Sequence, residues 1–144
     1  LTLRPHDIRS GLEIECGTGI RVLSGRTRGT FMYGIDSEDR RDLWKTLHLE
    51  FYCVQADPRD IFYKDSSFDY VVWPDPIKFE EEKDIDQALT EIHRVGSFRY
   101  LFNCPLSPEK DMSWWIDKVS GLNYYIEIAN KSANSGFLIE SIKI

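Results

Sequence analysis

The sequence predicts an α/β fold, a mostly parallel open sheet with an antiparallel hairpin at its C-terminal end. Three observations carry that prediction. Leu12 to Gly19 reads as a buried strand that runs into a glycine turn and then a helix. Downstream, strand-like and helix-like segments alternate through a fifth strand. The last two strand-like runs, Tyr124 to Ala129 and Phe137 to Ile144, are separated only by Asn130 to Gly136, which is too short for a crossover helix and demands antiparallel pairing.

Each element has its own local reason. Residues 1 to 10 are polar, contain Pro5 and His6, and read as a lead-in segment. Leu12 and Ile14 suit a strand, while Gly17 and Gly19 free the backbone for a tight turn. Ile20, Val22 and Leu23 then mark a helix that ends near Gly25 to Gly29. Phe31 to Ile35 is a second strand, followed at once by Asp36. Ser37 to His48 reads as a helix, with Leu43 and Leu47 on one face and acidic residues in its first turn. Phe51 to Ala56 is a third strand, ended by Asp57 and Pro58. Phe68 to Trp73 is a fourth, because Trp73-Pro74-Asp75-Pro76 cannot continue it. Ile85, Leu89, Ile92 and Val95 form one face of a helix beginning near Asp84, and Arg99 to Cys104 is a fifth strand. Ser107 with Pro108 behind it reads as an N-cap, Met112, Trp115, Ile116 and Val119 line the helix that follows, and Gly121 closes it.

A chain of 144 residues fits one domain, residues 1–144, with a real core. Its 42% hydrophobic and 29% charged content is that of an ordinary globular protein, which excludes disorder. A net charge of −6 gives no general attraction to phosphate backbones or anionic lipid, so nucleic acid is disfavoured despite the local basic group Arg21, Arg26 and Arg28. Cys16, Cys53 and Cys104 lie far apart in apolar runs and read as reduced core residues of a cytoplasmic protein. No apolar run approaches the ~18 to 20 residues of a membrane span, no leader is evident, and no Cys/His spacing calls for a metal. The chain starts at Leu1 rather than Met, which leaves the native start open.

Four stretches in order, Leu12 to Gly19, Tyr33-Gly34-Ile35-Asp36, Gln55-Ala56-Asp57 with Ser66 to Val72, and Ala88 to Val95, make the chain from Gly11 to Ile144 resemble a class I S-adenosylmethionine-dependent methyltransferase of the type 11 group. The resemblance implies a Rossmann-like, seven-stranded sheet in the order 3-2-1-4-5-7-6, with S-adenosylmethionine as cofactor. It implies that Glu13, Gly17 and Gly19 frame the methionine part, that Asp36 takes the ribose, and that Asp57 accepts a hydrogen bond from the adenine amine. Asp36 follows Gly19 at close to the ~20-residue spacing at which an acid meets a ribose in dinucleotide folds. Trp73 is expected to face substrate, and Asp75 to accept a proton or hydrogen bond. The plain alternatives stay open: a structural glycine turn, Asp36 and Asp57 as turn or cap residues, and Trp73 to Pro76 as a rigid proline turn. His93 reads as a structural helix residue.

Three departures from the family pattern bear on activity. Glu15 stands where the family has glycine or alanine, and a carboxylate ~4 Å from the cofactor's own would repel it by about 4 kcal/mol at an effective dielectric of ~20. The escape is for Glu15 to turn aside and pair with Arg4, Arg21 or another base. Pro58 removes an N–H that would meet the adenine ring. The usual Leu-x-Pro-Gly-Gly turn is cut to Gly96-Ser97, and little chain precedes the first strand to form a lid, so a homodimer contact or partner subunit is expected to supply one. Two readings follow: a methyltransferase acting on a small-molecule or protein acceptor, or a catalytically inactive relative that serves as a binding or assembly subunit.

Overall fold

A computed structural model describes residues 9–131 and 136–143. The lead-in segment with Arg4, Pro5 and His6, and most of the Asn130 to Gly136 loop, lie outside the described residues. The strands are β1 (Ser10–Ile14), β2 (Phe31–Asp36), β3 (Cys53–Gln55), β4 (Phe68–Trp73), β5 (Gly96–Pro105), β6 (Tyr124–Lys131) and β7 (Gly136–Lys143). They form one sheet in the order β3-β2-β1-β4-β5-β7-β6. The pairs among β1 to β5 are parallel, whereas β7 runs antiparallel to both β5 and β6. The order reverses direction between β1 and β4, which is the switch point where open α/β sheets take ligands beyond their strand tips.

Four helices connect the strands: α1 (Ile20–Thr27), α2 (Arg41–Thr46), α3 (Glu82–Val95) and α4 (Met112–Gly121). α3 buries Ile85, Ala88, Leu89, Ile92 and Val95 against a core that includes Leu12, Ile14, Val71, Phe102 and Ile139. A second cluster joins Cys16, Val22, Met32, Trp44, Leu49 and Cys53 around the glycine turn. All three cysteines are free and buried. No helix among the described residues is long and apolar enough to cross a membrane.

The elements depart from the sequence reading in three places. The helix expected from Ser37 is α2 alone, because carboxylates divert the backbone first: Glu38 N–H donates to Asp36 Oδ1 at 2.9 Å and Arg41 N–H to Asp39 Oδ1 at 3.1 Å, turns that compete with helix. β3 is shorter than expected and starts only at Cys53. The N-cap of α4 is Asp111, whose carboxylate accepts Trp114 N–H at 2.9 Å, while Ser107 closes a separate turn by accepting Lys110 N–H at 3.0 Å. An ionised acceptor next to the apolar face outcompetes a hydroxyl one turn upstream.

The Ala88 to Val95 motif is structural. Glu91 accepts Ile61 N–H at 2.9 Å, and Arg94 donates to Ile61 O at 2.5 Å and Tyr63 O at 2.8 Å, so the pair pins the loop between β3 and β4. His93 stacks on Tyr100 at 6.1 Å and meets the Asn123 carbonyl at 3.0 Å; burial lowers its pKa. With the Leu-x-Pro-Gly-Gly turn absent, α3 runs directly into β5 at Gly96. The Tyr100 ring lies 2.4 Å from where a Cβ on Gly96 would stand.

Candidate functional site

The glycine turn after β1 is fastened from three sides. Cys16 N–H donates to Ile35 O at 2.9 Å, Gly19 N–H to Cys16 O at 3.0 Å, and Trp44 Nε1 to Gly17 O at 2.9 Å. Its two glycines differ in purpose. Gly19, at φ 85°, packs so closely that an added Cβ would sit 2.8 Å from Leu49. Gly17, at φ 58°, has nothing among the described residues within 4 Å of where a Cβ would point, so the turn's backbone is open to close approach there.

Four acids stand on the tips of β1, β2 and β3, each with its own base. Glu13 is buried; Arg21 reaches its Oε2 at 3.3 Å, yet Oε1 has no partner among the described residues. Burial pushes its carboxyl up to about 7. Asp36 is also buried. Its Oδ2 accepts Gly17 N–H at 2.8 Å and lies 3.3 Å from Arg40, and its Oδ1 accepts Glu38 N–H, so both oxygens turn back into the protein. Asp57 is half-exposed and forked by Arg59 at 2.6 to 3.2 Å, which holds its pKa below the ordinary carboxylate value; Arg59 continues to Asp84 at 3.1 Å.

Glu15 is the unusual member. It sits at φ 56°, a left-handed conformation that costs a side-chain-bearing residue ~1 to 2 kcal/mol. Its carboxylate offsets this by accepting Ser37 N–H at 2.9 Å, Ser37 Oγ–H at 2.9 Å and Lys78 Nζ at 3.0 Å. The base that compensates Glu15 is therefore Lys78, from the segment after β4, and Arg21 goes to Glu13. The bond to Glu15 raises the Lys78 pKa.

Of the four acids, Glu15 and Asp57 border a crevice of about 210 Å³ at the switch point, lined by Glu15, Ser37, Asp57, Pro58, Arg59, Trp73, Lys78 and Phe79. Trp73 is buried, meets Phe79 edge-on at 6.1 Å, and leaves Nε1 without a partner among the described residues. Asn103 of β5 anchors the segment that delivers Lys78 and Phe79, its side-chain Nδ2 donating to Pro74 O at 2.8 Å and its backbone carbonyl accepting Ile77 N–H at 3.0 Å. A neighbouring cavity of about 430 Å³ shares Lys78 and Phe79, has buried Ile77 and Trp115 in its lining, and carries Glu80, Glu109 and Lys110 as charged members besides Lys78.

Glu13, Gly17, Asp36, Asp57 and Trp73 thus gather at one end of the sheet. Asp75 stands exposed on the proline turn and lines neither cavity, yet it lies near enough to Glu13 for its charge to help raise the Glu13 pKa. Sequence reasoning missed Lys78, Arg59 and Phe79. A glutamate at a glycine position signals that a cation must compensate it, but nothing local to Lys78 identifies that residue as the partner.

A family model described as a methyltransferase domain matches residues 12–97. No curated protein matches significantly. Among solved structures, a Pyrococcus horikoshii protein is 16% identical with a TM-score of 0.77, covering 97% of this chain and 84% of that one. An S-adenosylmethionine-dependent methyltransferase of Methanosarcina mazei is 16% identical with a TM-score of 0.74, covering 100% and 99%. A putative methyltransferase solved in complex with the Haloferax volcanii Trm112 methyltransferase activator is 10% identical with a TM-score of 0.72, covering 94% and 82%. At these identities the likeness is one of fold.

Proposed function

The chain belongs to the methyltransferase domain family, and we propose that it is an S-adenosylmethionine-dependent methyltransferase acting on a small-molecule or protein acceptor. The observation that carries this reading is Glu13, a buried carboxylate with an unpartnered oxygen beside an open glycine turn at the switch point. Such an atom is costly to leave unmet, and an ammonium group satisfies it.

The residues present suit the cofactor with one adjustment. A crevice of about 210 Å³ falls below the ~300 Å³ at which ligand pockets begin, but one of its walls is the Lys78 side chain, 57% exposed and free to swing into water. Glu13 then receives the amino group and Gly17 leaves room for the chain beside it. Asp36 acts through the turn it clamps, and Asp57 with Arg59 borders the base. The bound sulfonium supplies an already activated methyl group, so the protein's part is alignment and exclusion of water. Trp73 presents an apolar wall, and Asn103 keeps its segment in place. The cavity lined by Ile77 and Trp115 adjoins the crevice through Lys78 and Phe79, and suits an acceptor with an apolar body and a polar end. A partner subunit that completes this side would cover the crevice.

Calorimetric titration with S-adenosylmethionine and S-adenosylhomocysteine tests the reading. Saturable binding is expected, weakened tenfold or more in Glu13→Gln. No heat from either ligand at millimolar concentration sinks it in favour of an inactive relative, a second reading supported by the pairing of every strand-tip acid with an internal base.

A further inference from the structure

We propose that Glu15, rather than Asp36, is the residue that grips the ribose diol in this chain, and that Lys78 holds its place until ligand arrives. The inference rests on the cofactor reading above and assigns one residue within it.

A vicinal diol is neutral and offers two O–H donors, so a carboxylate on the wall of the crevice, with an oxygen whose present donor can be exchanged, is its natural partner. The three acids nearest the crevice differ on that requirement. Asp36 does not line the crevice, and its oxygens are committed to the Gly17 and Glu38 amides and to Arg40. Asp57 lines it but is forked by Arg59, whose Nε donates to Oδ1 and whose Nη2 donates to Oδ2. Glu15 lines it with a buried carboxylate whose Oε1 accepts a backbone amide and whose Oε2 accepts the Ser37 hydroxyl and the Lys78 ammonium.

The two ends of the Glu15–Lys78 pair are unequally held. The Glu15 side chain is 4% exposed and fixed by two bonds from Ser37, whereas that of Lys78 is 57% exposed and makes its bond at the end of a flexible stem. The ammonium of Lys78 passes readily into water, and the two O–H donors of the diol replace it at the buried carboxylate, which would otherwise be left uncompensated. Moving Glu15 would abandon three hydrogen bonds. Ligand therefore displaces the lysine and finds the carboxylate in position, already oriented by Ser37. A residue whose left-handed backbone is the one that glycine ordinarily supplies here is held in it by contacts that aim its side chain across the crevice.

Calorimetry with S-adenosylhomocysteine and its 2′-deoxy analogue, on the wild type, Glu15→Gln and Lys78→Ala, tests the assignment. Expected are a loss of at least tenfold for the 2′-deoxy analogue on the wild type, a similar loss for S-adenosylhomocysteine on Glu15→Gln, no further loss when the two changes are combined, and tighter binding by Lys78→Ala. Equal affinity for the two ligands on the wild type, or unchanged or tighter binding by Glu15→Gln, overturns it and makes Glu15 a plug. Should Glu15→Gln fail to fold, the ligand pair on the wild type and the Lys78→Ala result still decide the matter. Absence of binding by both the wild type and Lys78→Ala fails the cofactor reading itself, whereas binding without sensitivity to the 2′-hydroxyl fails this assignment alone.

Discussion

The crevice wall and the glycine turn beside it are built on opposite principles. At the turn, Glu13 keeps a buried oxygen unmet among the described residues and no described atom comes within 4 Å of a Cβ on Gly17, so the turn is incomplete without something bound. In the crevice wall, Asp57 with Arg59 and Glu15 with Lys78 are satisfied as they stand. An unmet turn invites a ligand, and a satisfied wall must release a partner first. The contrast separates where affinity originates from where access is controlled.

The comparison breaks most visibly at the glycines. Gly19→Ala forces a Cβ to 2.8 Å from Leu49 and 3.3 Å from Cys53 in a left-handed backbone, and should cost about 2 to 5 kcal/mol. Gly17→Ala meets no neighbour and should cost only about 1 to 2 kcal/mol. Urea unfolding midpoints of the two variants read the difference; equal losses would mean that Gly19 is not the packed member.

Glu13 sharpens it next. Its folded carboxyl keeps the proton up to about 7, against an ordinary 4.5, so in that window the folded chain binds more protons than the unfolded one. The contribution is full below about 4.5 and lost as pH rises through about 7, a swing on the order of 3 kcal/mol. Thermal unfolding of Glu13→Gln should lose this pH dependence and be the more stable at pH 8, although the variant binds ligand more weakly.

Smaller effects belong to the satisfied wall. Asn103→Ala strands the Pro74 carbonyl and should cost about 1 to 3 kcal/mol, read by denaturant unfolding, and should loosen the segment that carries Lys78. Arg59→Ala removes a half-exposed pair and should change stability by less than about 1 kcal/mol in the same measurement.

The sheet was legible because its signals are local: the proline turn that ends the strand Phe68 to Trp73, the apolar face of α3, and a final loop too short to cross over. The turns that shortened α2 and moved the α4 cap were not, since they depend on which of several neighbouring acceptors captures an amide. In the site, the positions of Glu13, Glu15 and Asp36 at the ends of β1 and β2 could be read from the motifs, but not that both Asp36 oxygens turn back to the Gly17 and Glu38 amides. Lys78 could not, because its pairing with Glu15 exists only once β1 and β4 lie side by side.

The most direct test of the account is the proton balance of binding. Titration of S-adenosylhomocysteine at pH 6, in two buffers of different ionisation enthalpy, should show release of close to one proton as the arriving ammonium ionises Glu13, and no release in Glu13→Gln. Binding without proton release by the wild type would contradict the assignment of Glu13 as the group that receives the ligand's charge.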